Sequence, residues 1–233
     1  MREVKIARSD LPAGLVALPV RTCLVRAGDD LAQIVANAVS GIARPGDVLA
    51  ISETAVAIAQ GQAVAAELVR PSRVAYYLAR HAGALATVNQ PESLQIVIDR
   101  VGLWKVVFAC IMQVAGRLAG RRGLFYGIMG EAITAIDGYT GTLPPFERAI
   151  VFAPLAPDRF AQELADRTGV SCAIVDANDL ERAKVLGASR GVNRANLERA
   201  LLSNPHGNSD EQTPVVVLKW RAAGEHPLLE RAA

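Results

Sequence analysis

The stretch Ala149-Ile-Val-Phe-Ala-Pro-Leu-Ala-Pro-Asp158-Arg-Phe-Ala-Gln-Glu-Leu-Ala-Asp-Arg-Thr168-Gly-Val-Ser-Cys-Ala-Ile-Val-Asp176 decides how the chain is read. Arg148 to Ala153 is strand-like. Pro157 and Asp158 open a helix, since proline at a first helical position gives up only an N–H that has no partner there. Phe160, Ala161 and Leu164 keep helical spacing, and Thr168-Gly169 ends the run. Val170 to Val175 is strand-like again and delivers Asp176 at its C-terminal end. Strand, helix, strand within about thirty residues is the spacing of a crossover unit.

Upstream, Val16 to Val25 reads as extended, and Asp29 or Asp30 caps a helix through about Val39. Pro45-Gly46-Asp47 is a turn signal before Val48 to Ile51, a short apolar run of buried-strand type. Ser52 is placed to cap a helix to about Gln60, with Gly61 as its stop. Pro71-Ser72-Arg73 starts another to about His81, and Pro91-Glu92 one to about Arg100. Downstream, Val215 to Trp220 is a last strand, and residues 225–233 are expected to be a frayed tail. The chain is therefore expected to be α+β with mixed sheets, without doubly wound alternation, and a single domain over residues 1–224.

Composition narrows the partners. The 233 residues carry 25 basic and 23 acidic side chains, a net charge of +2, and only 5% aromatics. Neither a strong positive field nor base-stacking platforms are available, which argues against nucleic acid. Cys23, Cys110 and Cys172 are odd in number, far apart and without C-x-x-C spacing, which excludes a disulfide framework and fits a reducing cytoplasm. The first ten residues lack the continuous apolar segment of a signal peptide. The most apolar run, Leu103 to Leu118, has an uninterrupted core of seven residues (Val106 to Met112), against about twenty for a bilayer span. It reads as a buried amphipathic helix; a membrane-surface helix with Arg117, Arg121 and Arg122 at headgroup level is the alternative. No membrane partner is expected. Of the basic residues, 21 are arginine and only four are lysine.

Two acids stand out by position. Asp137 ends the run Ala132 to Ile136 before Gly138-Tyr139-Thr140-Gly141, and Asp176 precedes Ala177-Asn178-Asp179. Acids at the ends of buried strands lie at a sheet rim, where two of them converging hold a hard divalent cation. Capping a turn is the competing role for each. The stretch from Gly116 to Gly130, with Arg117, Arg121 and Arg122, is either a cradle for an anion or a helix end with a basic solvated face. It matches neither the dinucleotide fingerprint nor the P-loop. The polar loop Ser203 to Pro214, with His206 inside it, either caps its neighbours or binds a ligand. The histidines lack metal-ligand spacing and no G-x-S-x-G occurs, which speaks against zinc and serine hydrolases.

Gly46-Asp-Val-Leu-Ala-Ile-Ser-Glu-Thr-Ala-Val-Ala-Ile-Ala-Gln-Gly61 resembles the opening strand and helix of the coenzyme F420-0:L-glutamate (gamma-glutamyl) ligase family. Ile136-Asp137-Gly-Tyr-Thr-Gly-Thr-Leu-Pro-Pro145 resembles its aspartate-bearing segment, and Ala149 to Asp176 keeps its order. The loop ending at Pro214 suggests a divergent subgroup. The resemblance implies a mixed α/β fold in an intertwined homodimer, with Asp137 and Asp176 as ligands of Mn2+ or Mg2+ and Asp179 as a further one. It implies GTP as cosubstrate and addition of L-glutamate to a phosphate-bearing carboxylate of the F420-0 kind. Ser52 and Asn178 are further candidates beside the aspartates, and Arg121 and Arg122, from the glycine and arginine stretch, are candidates for contact with an anion although residues 91–130 match the family poorly. Departures from the family accompany it. Ala177 stands where a hydroxyl residue follows the second aspartate, and Thr54 and Ile58 stand where the family has lysines. A non-catalytic paralogue that still binds metal, nucleotide or cofactor is the alternative these departures suggest.

Overall fold

The computed structural model describes residues 4–5, 14–82, 89–121, 123–130, 133, 136–138, 144–178, 182–207, 212–222 and 226–230, with the backbone alone at 4, 5, 137 and 178. In chain order the elements begin with β1 (Val4–Lys5), β2 (Leu15–Val20), α1 (Leu31–Val39), β3 (Val48–Ser52), α2 (Glu53–Ala59) and β4 (Ala63–Ala65). Then come α3 (Arg73–His81), α4 (Pro91–Val101), α5 (Leu103–Leu118), α6 (Leu124–Met129), β5 (Ile136–Asp137) and β6 (Ala149–Phe152). The last are α7 (Pro157–Thr168), β7 (Ser171–Asn178), β8 (Arg182–Ala188), α8 (Arg194–Ala200) and β9 (Val215–Trp220). The class is α+β, as the sequence implies. The chain divides into two compact units, Met1–Gln62 with Pro154–Ala233, and Ala63–Ala153.

The first unit is built on a six-stranded sheet in the order β1-β2-β9-β3-β7-β8, antiparallel except for the pair β3 and β7. β3 is apolar from Val48 to Ile51 because it lies in the interior of this sheet with both faces covered. Val48 and Ala50 join Val216, Leu218, Leu197 of α8 and Leu201 just after it in one core cluster. Leu49 and Ile51, on the opposite face by strand alternation, are equally buried. α7 packs on β7 and β8, and α1 packs on α7. Asp30 caps α1 by accepting from the Gln33 N–H, and Gly169 ends α7 in the left-handed conformation (φ +69°).

Three expectations are corrected here. β6 does not pair with β7: it belongs to the other unit's sheet, so Ala149 to Asp176 is not a crossover unit. Local pattern identifies strands, whereas pairing partners are set far away along the chain. Val16 to Val25 is extended as a strand only to Val20. Residues 226–230, expected to fray, are fastened. Leu228 is fully buried, its carbonyl accepts from the Asn193 N–H (2.7 Å), and Leu229 bridges Val192.

The second unit has a three-stranded antiparallel sheet, β4-β6-β5, and the helices α3 to α6. Its core gathers Ala75 and Ala79 of α3, Leu94, Val97 and Ile98 of α4, Val106 and Ala109 of α5, and Ile150 and Phe152 of β6. Arg100 lies over the Phe152 ring, 4.1 Å from its centroid. Gly116 permits the close approach of α5 to Leu124, which a Cβ would block. α5 matches its expected bounds but is not a buried helix. Only Val106, Ala109 and Gly116 are buried, while Trp104, Phe108, Ile111 and Leu118 form an exposed stripe. Among the described residues, no helix is long and apolar enough to cross a membrane.

Candidate functional site

The parallel register of β3 and β7 sets Ser52 beside Val175, so Asp176 lies one residue beyond the carboxyl end of β3. That edge of an open sheet is where α/β proteins hold ligands. Asp176 is not the end of its strand, as expected from its sequence position. β7 continues to Asn178 because β8, which the sequence reading did not identify, returns beside it with Lys184 opposite Asp176 and Arg182 opposite Asn178. A directly opposed antiparallel pair shares one face of the sheet. Asp176 and Lys184 are both exposed. Desolvation by the surrounding protein raises the Asp176 carboxyl above the usual carboxylate range, and the Lys184 charge pulls it partly back. No described residue donates a hydrogen bond to that carboxylate.

Ser52 directly precedes α2, yet its hydroxyl makes no cap hydrogen bond; its N–H donates instead to the Pro214 carbonyl at 2.8 Å. The carboxyl-terminal part of the polar loop therefore abuts the same edge. Gln212 binds Thr22 in both directions, its side-chain N–H donating to the Thr22 carbonyl (3.0 Å) and its carbonyl accepting from the Thr22 N–H (3.3 Å). His206 Nδ1 donates to the Thr213 carbonyl at 3.2 Å, which leaves Nε2 as the acceptor nitrogen, buried and without a partner among the described residues. Burial pushes its pKa down to about 4. In its described part, then, this loop caps its neighbours.

Asp137 closes the short strand β5, with its backbone opposite Val151 of β6 in the second unit. Gly138 lies so close to the Gln90 side-chain amide that a Cβ would collide with it, and Gln90 Oε1 accepts from the buried Ser93 hydroxyl at 3.0 Å. Gln90 and Ser93 are neighbours of this segment that the sequence reading passed over; a buried serine in the first turn of α4 is the one signal they offer.

Arg121 is exposed in the turn after α5, and its N–H donates to the Gly116 carbonyl at 2.7 Å. Arg122, Asp179 and the side chains of Asp137 and Asn178 lie outside the described residues. Among the described residues, no group of three or more His, Cys, Asp or Glu is placed to hold a metal. Of the two family-lysine positions, Ile58 is buried in α2 and Thr54 half-buried. Lys184, one of the chain's four lysines, is the cation that the structure puts against Asp176 and that sequence order gave no reason to choose. Cys172 is a packed core thiol, pushed up to about 12 by burial.

The model of the family described as F420-0:Gamma-glutamyl ligase matches residues 19–203. That range includes β3, both aspartates and the hairpin of β7 and β8. No curated protein matches the chain.

Proposed function

Because the chain belongs to the F420-0:gamma-glutamyl ligase family, we propose that it is a metal- and nucleotide-dependent amide ligase. It joins L-glutamate, or an amino acid like it, to a phosphate-bearing carboxylate of the F420-0 kind. The observation that carries this reading is the edge where Ser52, Asp176 and Lys184 meet, within the matched range. In the reaction, the γ-phosphoryl group of GTP passes to the acceptor carboxylate. The amino acid's amine then displaces phosphate from the acyl phosphate, forming the amide and releasing a proton. The protein has little covalent work in such a sequence; positioning and charge neutralisation suffice.

Asp176 supports a hard cation, because an exposed carboxylate with no hydrogen-bond donor among the described residues, disfavoured as an anion by its surroundings, gains from a Mn2+ or Mg2+ partner. Asp137, Asp176 and Asp179 are the proposed ligands, and the bound ion would offset charge on the phosphoryl group. Ser52, Asn178, Arg121 and Arg122 are proposed for contact with the nucleotide or the acceptor's phosphate, and Lys184 joins them. We take both units as one ligase domain over residues 1–224, since the family match runs through each. The exposed α5 stripe supports assembly as a homodimer.

Titration calorimetry with Mn2+ and GTP, followed by GDP release on adding glutamate and acceptor, tests the reading. Metal-dependent GTP binding that weakens at least tenfold in Asp176→Ala is expected. Mn2+ binding unchanged in that variant, or none in the wild type, would overturn it. The non-catalytic alternative rests on Ala177, Thr54 and the buried Ile58. It predicts binding without GDP release, so the same pair of measurements separates the two.

A further inference from the structure

We propose that the second unit contains a ligand pocket of its own, built for a small amphipathic acid: an apolar body bearing one carboxylate or phosphate group. The helices α3, α4, α5 and α6 line a half-open cavity of about 1000 Å3, formed entirely by residues of this unit. That is the upper end of the roughly 300–1,000 Å3 typical of small-molecule sites. Its inner wall is apolar, with Leu94 and Phe125 buried and Leu78 and Cys110 half-buried. Its outer side chains are Tyr77, His81, Arg117 and Tyr126 with the apolar Val114 among them, all exposed. Cavity and rim thus differ in chemistry in the sense that an amphipathic molecule requires.

The head group is specified by charge. No Asp or Glu lines the cavity among the described residues, and Arg117 makes no ion pair with any of them. From Leu103 to Gly130 the chain carries Lys105, Arg117, Arg121 and Arg122 and no acid at all. An unpaired guanidinium over an apolar cavity favours a planar or tetrahedral oxyanion, which it engages through two N–H groups at once. Gln113 adds a neutral donor. Its Oε1 accepts from the Phe125 N–H at 2.9 Å, fixing the side chain, while its NH2 group donates to no described residue. Tyr77 and Tyr126 add aromatic surface at the rim. The inference does not rest on the ligase reading and is tested without nucleotide or metal.

The experiment is calorimetry on the full chain with three probes of one shape: 2-naphthoate, 2-naphthyl phosphate and the neutral 2-naphthylmethanol. The anions are expected to bind at least tenfold more tightly than the alcohol, and the stronger anion identifies the head group. Arg117→Gln, on an exposed position, should cost the anions tenfold or more and leave the alcohol unchanged. Cys110→Phe, which fills the inner wall, should abolish binding of all three while circular dichroism shows a folded protein. Phe108→Ser, on the exposed stripe of α5 and outside the cavity lining, should leave the binding of all three probes unchanged. Equal binding of anion and alcohol, indifference to Arg117→Gln, or loss of binding in Phe108→Ser would each overturn the proposal.

Discussion

Lys184 shows what one residue adds to the reading of the site. In a chain with 21 arginines and four lysines, Thr54 and Ile58 replace the two cations of the resembled family without an arginine in compensation. Lys184 stands opposite Asp176 on the neighbouring strand, so a cation is present by a different route. If it contacts nucleotide phosphate, Lys184→Gln should weaken GTP binding by about tenfold, ~1.4 kcal/mol, in line with a charge-assisted hydrogen bond. Mn2+ affinity in the absence of GTP should rise slightly, because a competing positive charge is gone; calorimetry reads both. His206 gives a pH prediction. Its native pKa of about 4 lies below the ordinary histidine value of 6.5, so the native state refuses a proton that the unfolded chain takes. Stability is complete above pH 6.5 and falls as the pH drops towards 4, by up to roughly 3 kcal/mol. Urea midpoints across that interval should show the slope. It should shrink in His206→Gln; His226, which burial lowers in the same direction, keeps its own contribution in that variant.

At the scale of elements, a helix start was legible where a local chemical device marks it. Asp30, Ser72 and the prolines at 91 and 157 stand where the sequence places them, and α5 runs from Leu103 to Leu118 as its apolar run implies. Strand β8 was not legible, because Arg182-Ala-Lys-Val-Leu-Gly-Ala188 alternates weakly and contains Gly187. That glycine is explained only by tertiary contact: a Cβ there would run into the backbone of Pro157 and Asp158 at the start of α7. The same junction is fastened by Asp158, which accepts from the Ala188 N–H at 2.9 Å and pairs with Arg194. Gly187→Ala should therefore destabilise the protein by ~1–3 kcal/mol through overpacking, where alanine in an open strand would stabilise it. Because β8 carries Lys184, the variant should also weaken GTP binding; chemical denaturation and calorimetry measure the two effects. The misread crossover has a similar origin. β6 pairs with β4, which leaves the first unit just after Gln60, and the Gln60 amide grips the Leu155 backbone in both directions (3.1 and 2.6 Å) where the chain returns. Such closure of an inserted unit is invisible in a local window.

For the whole molecule, the decisive feature is the unpartnered face of α5. Trp104 is 82% exposed and Leu118 is 88% exposed, with Phe108 and Ile111 between them at helical spacing. One such residue on a surface needs no explanation, but a continuous stripe along a 16-residue helix does. Burying it in a two-fold contact would place the same patch against itself, as in most homodimers, where a stable interface takes roughly 800 Å2 from each partner. The sequence alone suggested a dimer only through family resemblance, since periodicity marks an apolar face without saying whether the chain itself covers it. The expectation is a particle of twice 24.7 kDa by light scattering, and a 24.7 kDa particle for Phe108→Glu, Ile111→Glu. A charge placed opposite its own symmetry mate in an apolar contact costs several kcal/mol, enough to dissociate a micromolar dimer. Both variants lie on an exposed face, so their circular dichroism and thermal midpoints should stay close to wild type, which separates loss of assembly from loss of fold. A wild-type particle of 24.7 kDa would remove the dimer from the proposed function and leave the stripe to another partner.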